Sequence, residues 1–353
     1  MRRLPSLLPL IAVIAAALAA ADIVPVPGSQ RIQPIFELSD LVCYCEVESV
    51  SLAVRTEPNP KARGWVRRET SAVLEIIDSY KQDQPGQRSA ALEEERDVPA
   101  ASGSYPAFRK GDRFLLFLKS TAPGKYVLAD PFSGATFFSS IQKRSEEPGL
   151  HKLEAALAAE ALHSKPEDVI RALRLLGEFD NLSEETASTI EPLAASQNGG
   201  IALAAISATI DSARPKVLQH LLSWVNNHNG EAQTWDLINI GTKLATLRGD
   251  RVAPLLGELT SCKYRTIREG AMRALRQRKD PRMARLLVER LDDKDSDIRY
   301  LAVIALAETF QKFDGDYAPS MYLFDKKPAY YTALWKEWWQ EQGAALLQPK
   351  NSE

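Results

Sequence analysis

One nine-residue pattern is written twice, 31 residues apart: Ile267-Arg268-x-x-Ala271-x-x-Ala274-Leu275 and Ile298-Arg299-x-x-Ala302-x-x-Ala305-Leu306. Self-similarity at such a period marks stacked units that cannot cover their apolar faces alone. The landmark Leu306 has counterparts at Leu275, Leu244, Ile206 and Leu173, at intervals of 31, 31, 38 and 33. From Gly149 onward Ala and Leu recur at spacings of three and four, and strand-like alternation disappears. Helices are expected over 149–163, 166–179, 183–195, 200–212, 215–226, 233–247, 251–261, 266–277, 281–291 and 298–311. Pro166, Pro215 and Pro281 stand at helix starts, where a missing N–H is tolerated.

The motif has a packing rationale. Ala271 and Ala302 let a helix approach its neighbour, and Leu275 and Leu306 fill the shared core. Arg268 and Arg299 lie early in the helix, where a long side chain can cross to the next unit's loop. Asp295, Ser296 and Asp297 sit at a helix start, where caps and acids are favourable. At these residues the chain resembles the HEAT-repeat family, including the short units named for phycobilisome lyases. The resemblance implies a curved stack of helix pairs that holds other macromolecules. The lyase activity does not carry over, because those enzymes are cytoplasmic and this chain begins with an export signal.

That signal is Arg2-Arg3, an apolar run over 7–18, and Ala19-Ala20-Ala21 before Asp22. The run is shorter than the about 20 apolar residues a spanning helix needs. An exported chain is expected, periplasmic or extracellular and bacterial, with no transmembrane segment after cleavage. Loss of Arg2 and Arg3 moves the formal charge from -2 to -4, too small a bias to select a partner.

Between 36 and 143 the chain reads as β. Leu41–Val50, Val73–Ile77, Phe114–Leu118 and Tyr126–Leu128 are strand-like runs, and Pro131-Phe132-Ser133-Gly134 is expected to turn a hairpin into Thr136–Phe138. The polar stretch Gln82–Ser104, with Glu93-Glu94-Glu95, reads as a solvated loop. Ser39-Asp40-Leu41-Val42 and Gly111–Leu118 resemble the OB barrels of netrin-like and metalloprotease-inhibitor domains. In that inhibitor branch an N-terminal Cys chelates the target's zinc. Here Cys43 lies about 20 residues past the expected cleavage site, so that mechanism does not transfer. Cys43 and Cys45 share one strand face, and a bridge at that spacing is strained. Their plain reading is two small buried hydrophobes. A pairing with Cys262, a redox pair and a metal site are the alternatives.

The expected fold class is therefore multidomain β plus α. A signal peptide (1–21) precedes an OB-like barrel domain (36–143). An α-α superhelix of HEAT-like repeats (149–311) follows, then an aromatic loop (Phe313–Pro328) and a C-terminal capping helix, together spanning 312–347. In the last helix Trp335, Trp338 and Trp339 share a face. They read as a cap on the final repeat, with an aromatic ligand platform as the alternative.

No catalytic motif emerges, and His151, His163, His220 and His228 lack helical metal-pair spacing. Neither enzyme activity, nor a cofactor, nor a metal is expected. Ten Lys and Arg fall within the 28 residues Lys263–Arg290, against Glu269, Asp280 and Glu289, a local balance of +7. Arg273, Arg276 and Arg285 are the candidate contact residues of that stretch. The competing reading has such arginines bridging to the acidic loop 292–297. The functional expectation is a non-enzymatic scaffold for a protein partner. An anionic polysaccharide or lipid head group is a further possible partner, and export disfavours nucleic acid. The alternative makes the β domain the functional part, as a protease inhibitor or matrix-binding module, with the helices as a spacer.

Overall fold

The computed structural model describes residues 32–55, 65–82, 86–99, 108–129, 135–141, 148–228, 235–314 and 316–343. The segment expected to be an export signal (1–21) and the expected Pro131–Gly134 turn lie outside them. Two compact units are present: one runs to Glu160 and includes Glu178–Asp180, the other comprises Ala161–Gly177 and Asn181 onward.

The first unit opens with a short helix, α1 (Ile32–Leu38), and continues as strands β1 (Leu41–Arg55), β2 (Trp65–Lys81), β3 (Ser89–Pro99), β4 (Arg113–Ala122), β5 (Lys125–Leu128) and β6 (Ala135–Phe137). Strands β1-β2-β3-β5-β4 close into a five-stranded barrel through a β1–β4 pairing, with β3 and β5 parallel. This order is OB-like. Leu41, Cys43, Cys45 and Val47 of β1 alternate inward to meet Phe114, Leu116 and Leu118 of β4 and Leu92 of β3. Cys43 and Cys45 are therefore wall residues of a dry core, both as free thiols. The intervening Val42, Tyr44, Leu115 and Phe117 are equally buried, so β1 and β4 are covered on both faces.

Two expectations for this unit need correction. The stretch 82–104 is not a loop: its residues Ser89–Pro99 form β3, paired with β2 along its whole length. Ala90 and Leu92 are buried inward-facing residues of this strand, and its backbone pairs with β2. Exposed Glu93 is met across β5 by Lys125 at 2.8 Å. The hairpin expected between the Tyr126 and Thr136 runs does not form either. Both β5 and β6 pair with β4, because its ten residues are long enough to carry one partner at each end. The hairpin is instead β4–β5, turned at Pro123-Gly124, where Gly124 takes φ 73°.

A helix expected among the repeats, α2 (Leu150–His163), contributes its residues up to Glu160 to the barrel unit. Lys152 of α2, fully covered, donates to Asp78 Oδ1 at 2.8 Å and to the Ser79 carbonyl at 3.1 Å.

The second unit is a helical repeat region. One layer runs α3 (Pro166–Leu176), α5 (Gly199–Thr209), α7 (Trp235–Leu244), α9 (Arg265–Arg278), α11 (Ser296–Phe310) and α13 (Pro328–Trp338), each packed on the next except that α11 meets α13 past an intervening short helix, α12 (Met321–Lys326). The companion helices are α4 (Glu184–Ile190), α6 (Pro215–Asn227), α8 (Ala253–Leu259) and α10 (Ala284–Glu289); all but α6 are short and extended by 3-10 turns. Leu173, Ile206, Leu244, Leu275 and Leu306 fall on five successive helices of the first layer, all buried. Helix α12 lies inside a stretch expected to be a loop. Its signal is Ser320, whose Oγ accepts from Leu323 N, with Phe324 buried behind it.

One close crossing in this layer is made by two glycines. A Cβ on Gly270 of α9 would stand 2.1 Å from the Gly241 carbonyl oxygen, and one on Gly241 of α7 would stand 2.5 Å from the Thr266 oxygen. Gly270→Ala should therefore destabilise the protein by about 1–3 kcal/mol in urea unfolding. The roughly 1 kcal/mol helix-propensity gain of Ala over Gly works in the opposite direction. A rise in stability would show that the two helices are free to move apart.

Candidate functional site

The repeat arginine closes the seam between successive units. Arg268 stands one turn into α9 with its side chain 3% exposed. Its Nη1 donates to the carbonyls of Cys262 and Lys263, both at 3.1 Å. Its Nη2 crosses to the next loop, reaching Asp293 at 3.2 Å and Asp295 at 3.1 Å. Arg299 repeats the first half of this arrangement at the same offsets, donating to the carbonyls of Asp293 (2.8 Å) and Lys294 (3.1 Å). Ile267, Ala271, Ile298 and Ala302 lie beneath, buried.

Other cations bond across helices in the same way. Arg174 of α3 forms a two-pronged pair with Asp236 of α7 (2.9 and 2.6 Å). Lys243 of α7 donates to the carbonyls of Gly177 and Ser207 and reaches Asp211 at 2.8 Å. Arg276 of α9 grips Glu308 of α11 through Nε and Nη2, the latter at 2.6 Å. That carboxylate holds the Arg276 guanidinium above the ordinary arginine range.

These bonds redefine the three candidate contact residues. Arg276 is a strut between repeats. Arg273 turns back onto Glu269 in its own helix at 2.7 Å. Arg285, on α10 and 82% exposed, lies 3.5 Å from Glu289. Each of the eight arginines between 265 and 290 has a carboxylate within ion-pair distance, because Asp250, Asp293, Asp295, Asp297 and Glu308 enter from outside the window. The local excess of charge in the sequence is largely neutralised in the fold.

The three tryptophans occupy a cap position. Trp335 is fully buried and donates Nε1 to the Tyr317 carbonyl. Trp338 is buried against Phe310 of α11, with ring centroids 4.7 Å apart, and half-buried Trp339 flanks the same ring at 6.4 Å. Lys312 sits over both Tyr317 and Trp338. The aromatic surface lies elsewhere on this segment: Phe313, Met321, Tyr322, Leu323 and Tyr330 are all exposed, Tyr322 by 67%. Reading the tryptophan face of the last helix alone misses them, because all but Tyr330 fall in the stretch expected to be a loop.

In the barrel unit, the Lys152–Asp78 pair lies beside Tyr80, whose ring is 5.7 Å from Lys152 Nζ. Burial, reinforced by the Asp78 charge, pushes the Tyr80 hydroxyl far above the ordinary tyrosine range. The neighbouring Cys43 sulfur and burial raise the Cys45 thiol well above its usual value, which makes it a poor nucleophile. His228 stacks on Trp224 at 4.5 Å and pairs its Nδ1 with the Trp224 carbonyl, as part of a loop end. Among the described residues no group of three His, Cys, Asp or Glu is placed to hold a metal, and no helix is long and apolar enough to cross a membrane. No protein-family model matches the chain, and no curated protein is significantly similar to it in sequence.

Two outcomes test these electrostatics. Arg268→Ala should cost about 3–5 kcal/mol, because it strands two carboxylates in a covered seam, whereas Arg265→Ala, half-exposed, should cost about 1 kcal/mol or less in the same chemical denaturation. Glu191, gripped by Lys216 and Arg214 at 2.9 Å each, has its carboxyl held below its ordinary 4.5 by those two cations. A depressed folded value stabilises above the unfolded value and stops doing so as pH falls through the folded one. Glu191→Gln should thus weaken the protein at neutral pH and cost progressively less below about pH 4.5, as read from denaturation midpoints across a pH series.

Proposed function

We propose that this protein is an exported, non-enzymatic interaction scaffold. In this reading a HEAT-type helical array presents a docking surface to a protein partner, and the OB-like barrel is the accessory domain. The observation that carries it is the exposed apolar set on the C-terminal segment: Phe313, Met321, Tyr322, Leu323 and Tyr330. Large apolar side chains gathered on one short stretch favour protein contact, and aromatic residues and Met are enriched at the cores of interfaces. The capping tryptophans are consumed internally and the arginines are mostly paired, so the contact is assigned to this aromatic surface. Arg273 and Arg285 contribute at most exposed rim charges, which steer association more than they hold it.

The test is affinity capture from an envelope extract with three full-length baits. These are the wild type, a Phe313→Ser/Tyr322→Ser/Leu323→Ser variant, and an Arg273→Glu/Arg285→Glu variant. Loss of central apolar anchors is expected to weaken retention of a specific partner by roughly tenfold or more. The charge variant should retain it and only alter its salt dependence. Equal retention by all three would overturn the assignment and direct attention to the barrel.

A further inference from the structure

Arg278 is a covered cation with few bonds. Its side chain is 8% exposed, yet its nearest carboxylate is Asp250 at 3.7 Å, itself 90% exposed. Its one hydrogen bond runs from Nη2 to the Gly249 carbonyl at 2.6 Å, and its buried Nε has no acceptor. Arg268, similarly covered and likewise without a hydrogen-bond acceptor at Nε, has two carboxylates and two carbonyls on its terminal nitrogens. Arg278 forms one wall of a cavity of about 430 Å³ between the loop after α7 and the loop after α9. Arg248 and Gln277, both exposed, and Arg282 complete the cationic and donor lining.

The charges of this cavity are unequally satisfied. Asp280 holds Arg282 through Nε, 3.0 Å from each carboxylate oxygen, and through Nη2 at 2.8 Å, so that guanidinium is neutralised. Arg248 has no carboxylate partner among the described residues. Two guanidinium groups from successive repeats therefore face one space whose two carboxylates are the solvated Asp250 and Asp280, the latter already engaged by Arg282. Burial, and secondarily the like charge of Arg248, hold Arg278 below the ordinary arginine range against the pull of Asp250. An anion in the cavity would relieve both.

We propose that this cavity is a binding site for a tetrahedral oxyanion, phosphate or sulfate, held between Arg248 and Arg278. A guanidinium fork takes up the two oxygens of a planar carboxylate. Two forks on separate walls, with the Gln277 amide beside them, offer more donors than one carboxylate uses and suit an anion with further oxygens. The volume leaves space beyond the anion itself, so an ester of a larger molecule and the free ion satisfy the same chemistry. The site shares no residue with the aromatic docking surface, and its test is independent of that reading.

The experiment is isothermal titration calorimetry of the full-length protein with inorganic phosphate and with sulfate, at ionic strength matched with chloride because such contacts are screened by salt. Acetate and a sugar phosphomonoester form the comparison arms. Expected are saturable binding of both tetrahedral anions in the low-millimolar range or tighter, acetate at least about tenfold weaker, and loss of about tenfold or more in Arg248→Gln. Arg248 is exposed and unbonded, so this variant should keep the wild-type melting temperature, and Arg278→Gln need only be read if it folds. A phosphomonoester that binds more tightly than phosphate identifies an ester as the occupant, and equal affinities identify the free ion. Absence of saturable binding up to about 20 mM phosphate, unchanged affinity in Arg248→Gln, or equal binding of acetate would each overturn the proposal.

Discussion

The seam bond of Arg268 is the constraint around which the repeat region is organised. A helix stack buries its apolar faces only if consecutive loops stay in register, and loops have little apolar surface with which to do this. Arg268 solves the problem with one side chain that ties its own loop by two carbonyls and the next loop by two carboxylates. Taking a guanidinium out of water is costly unless its donors are met. The same residue therefore stabilises the correct stacking and penalises a displaced one. Arg299 keeps the bonds to its own loop, but among the described residues it has no ion pair beyond it. The repeat ends there, and buried Trp335 and Trp338 cover the last helix by packing instead.

The same logic accounts for the fate of the basic stretch. Along the chain, ten cations face three acids; in the fold, five further carboxylates arrive from neighbouring loops and helices. Charge that looks like a field for a partner is mostly spent on bonds between repeats. What remains is local and positional. Arg248 and Arg278 stay under-compensated because the acid nearest them points into solvent. The aromatic side chains around α12 are similarly left over once the cap is built.

The barrel depends on a different constraint. Closure places β1 and β4 in the middle of the unit, covered by the barrel core on one side and by further structure on the other. A fully buried lysine at that outer face must bring its counter-ion, and Lys152–Asp78 is the result. Closure also demands a strand between β2 and β5, so an acidic stretch with two inward apolar residues is recruited as β3.

The sequence by itself determined the class of each unit and the period of the repeat. The reason is that Leu173, Ile206, Leu244, Leu275 and Leu306 must each be buried, and burial at one point per helix writes a periodic signal along the chain. It also marked Cys43 and Cys45 as same-face residues and Arg268 as a side chain able to cross between units. Strand β3 and helix α12 were not legible, since neither pairing partners nor a single buried Phe324 writes an apolar pattern along the chain. The Gly241–Gly270 crossing, the partners of Arg273, Arg276 and Arg285, and the Arg248–Arg278 cavity were decided only by the tertiary structure. Each depends on residues from separate helices or loops meeting in space, and a distance between two side chains is not a property of either one's place in the chain.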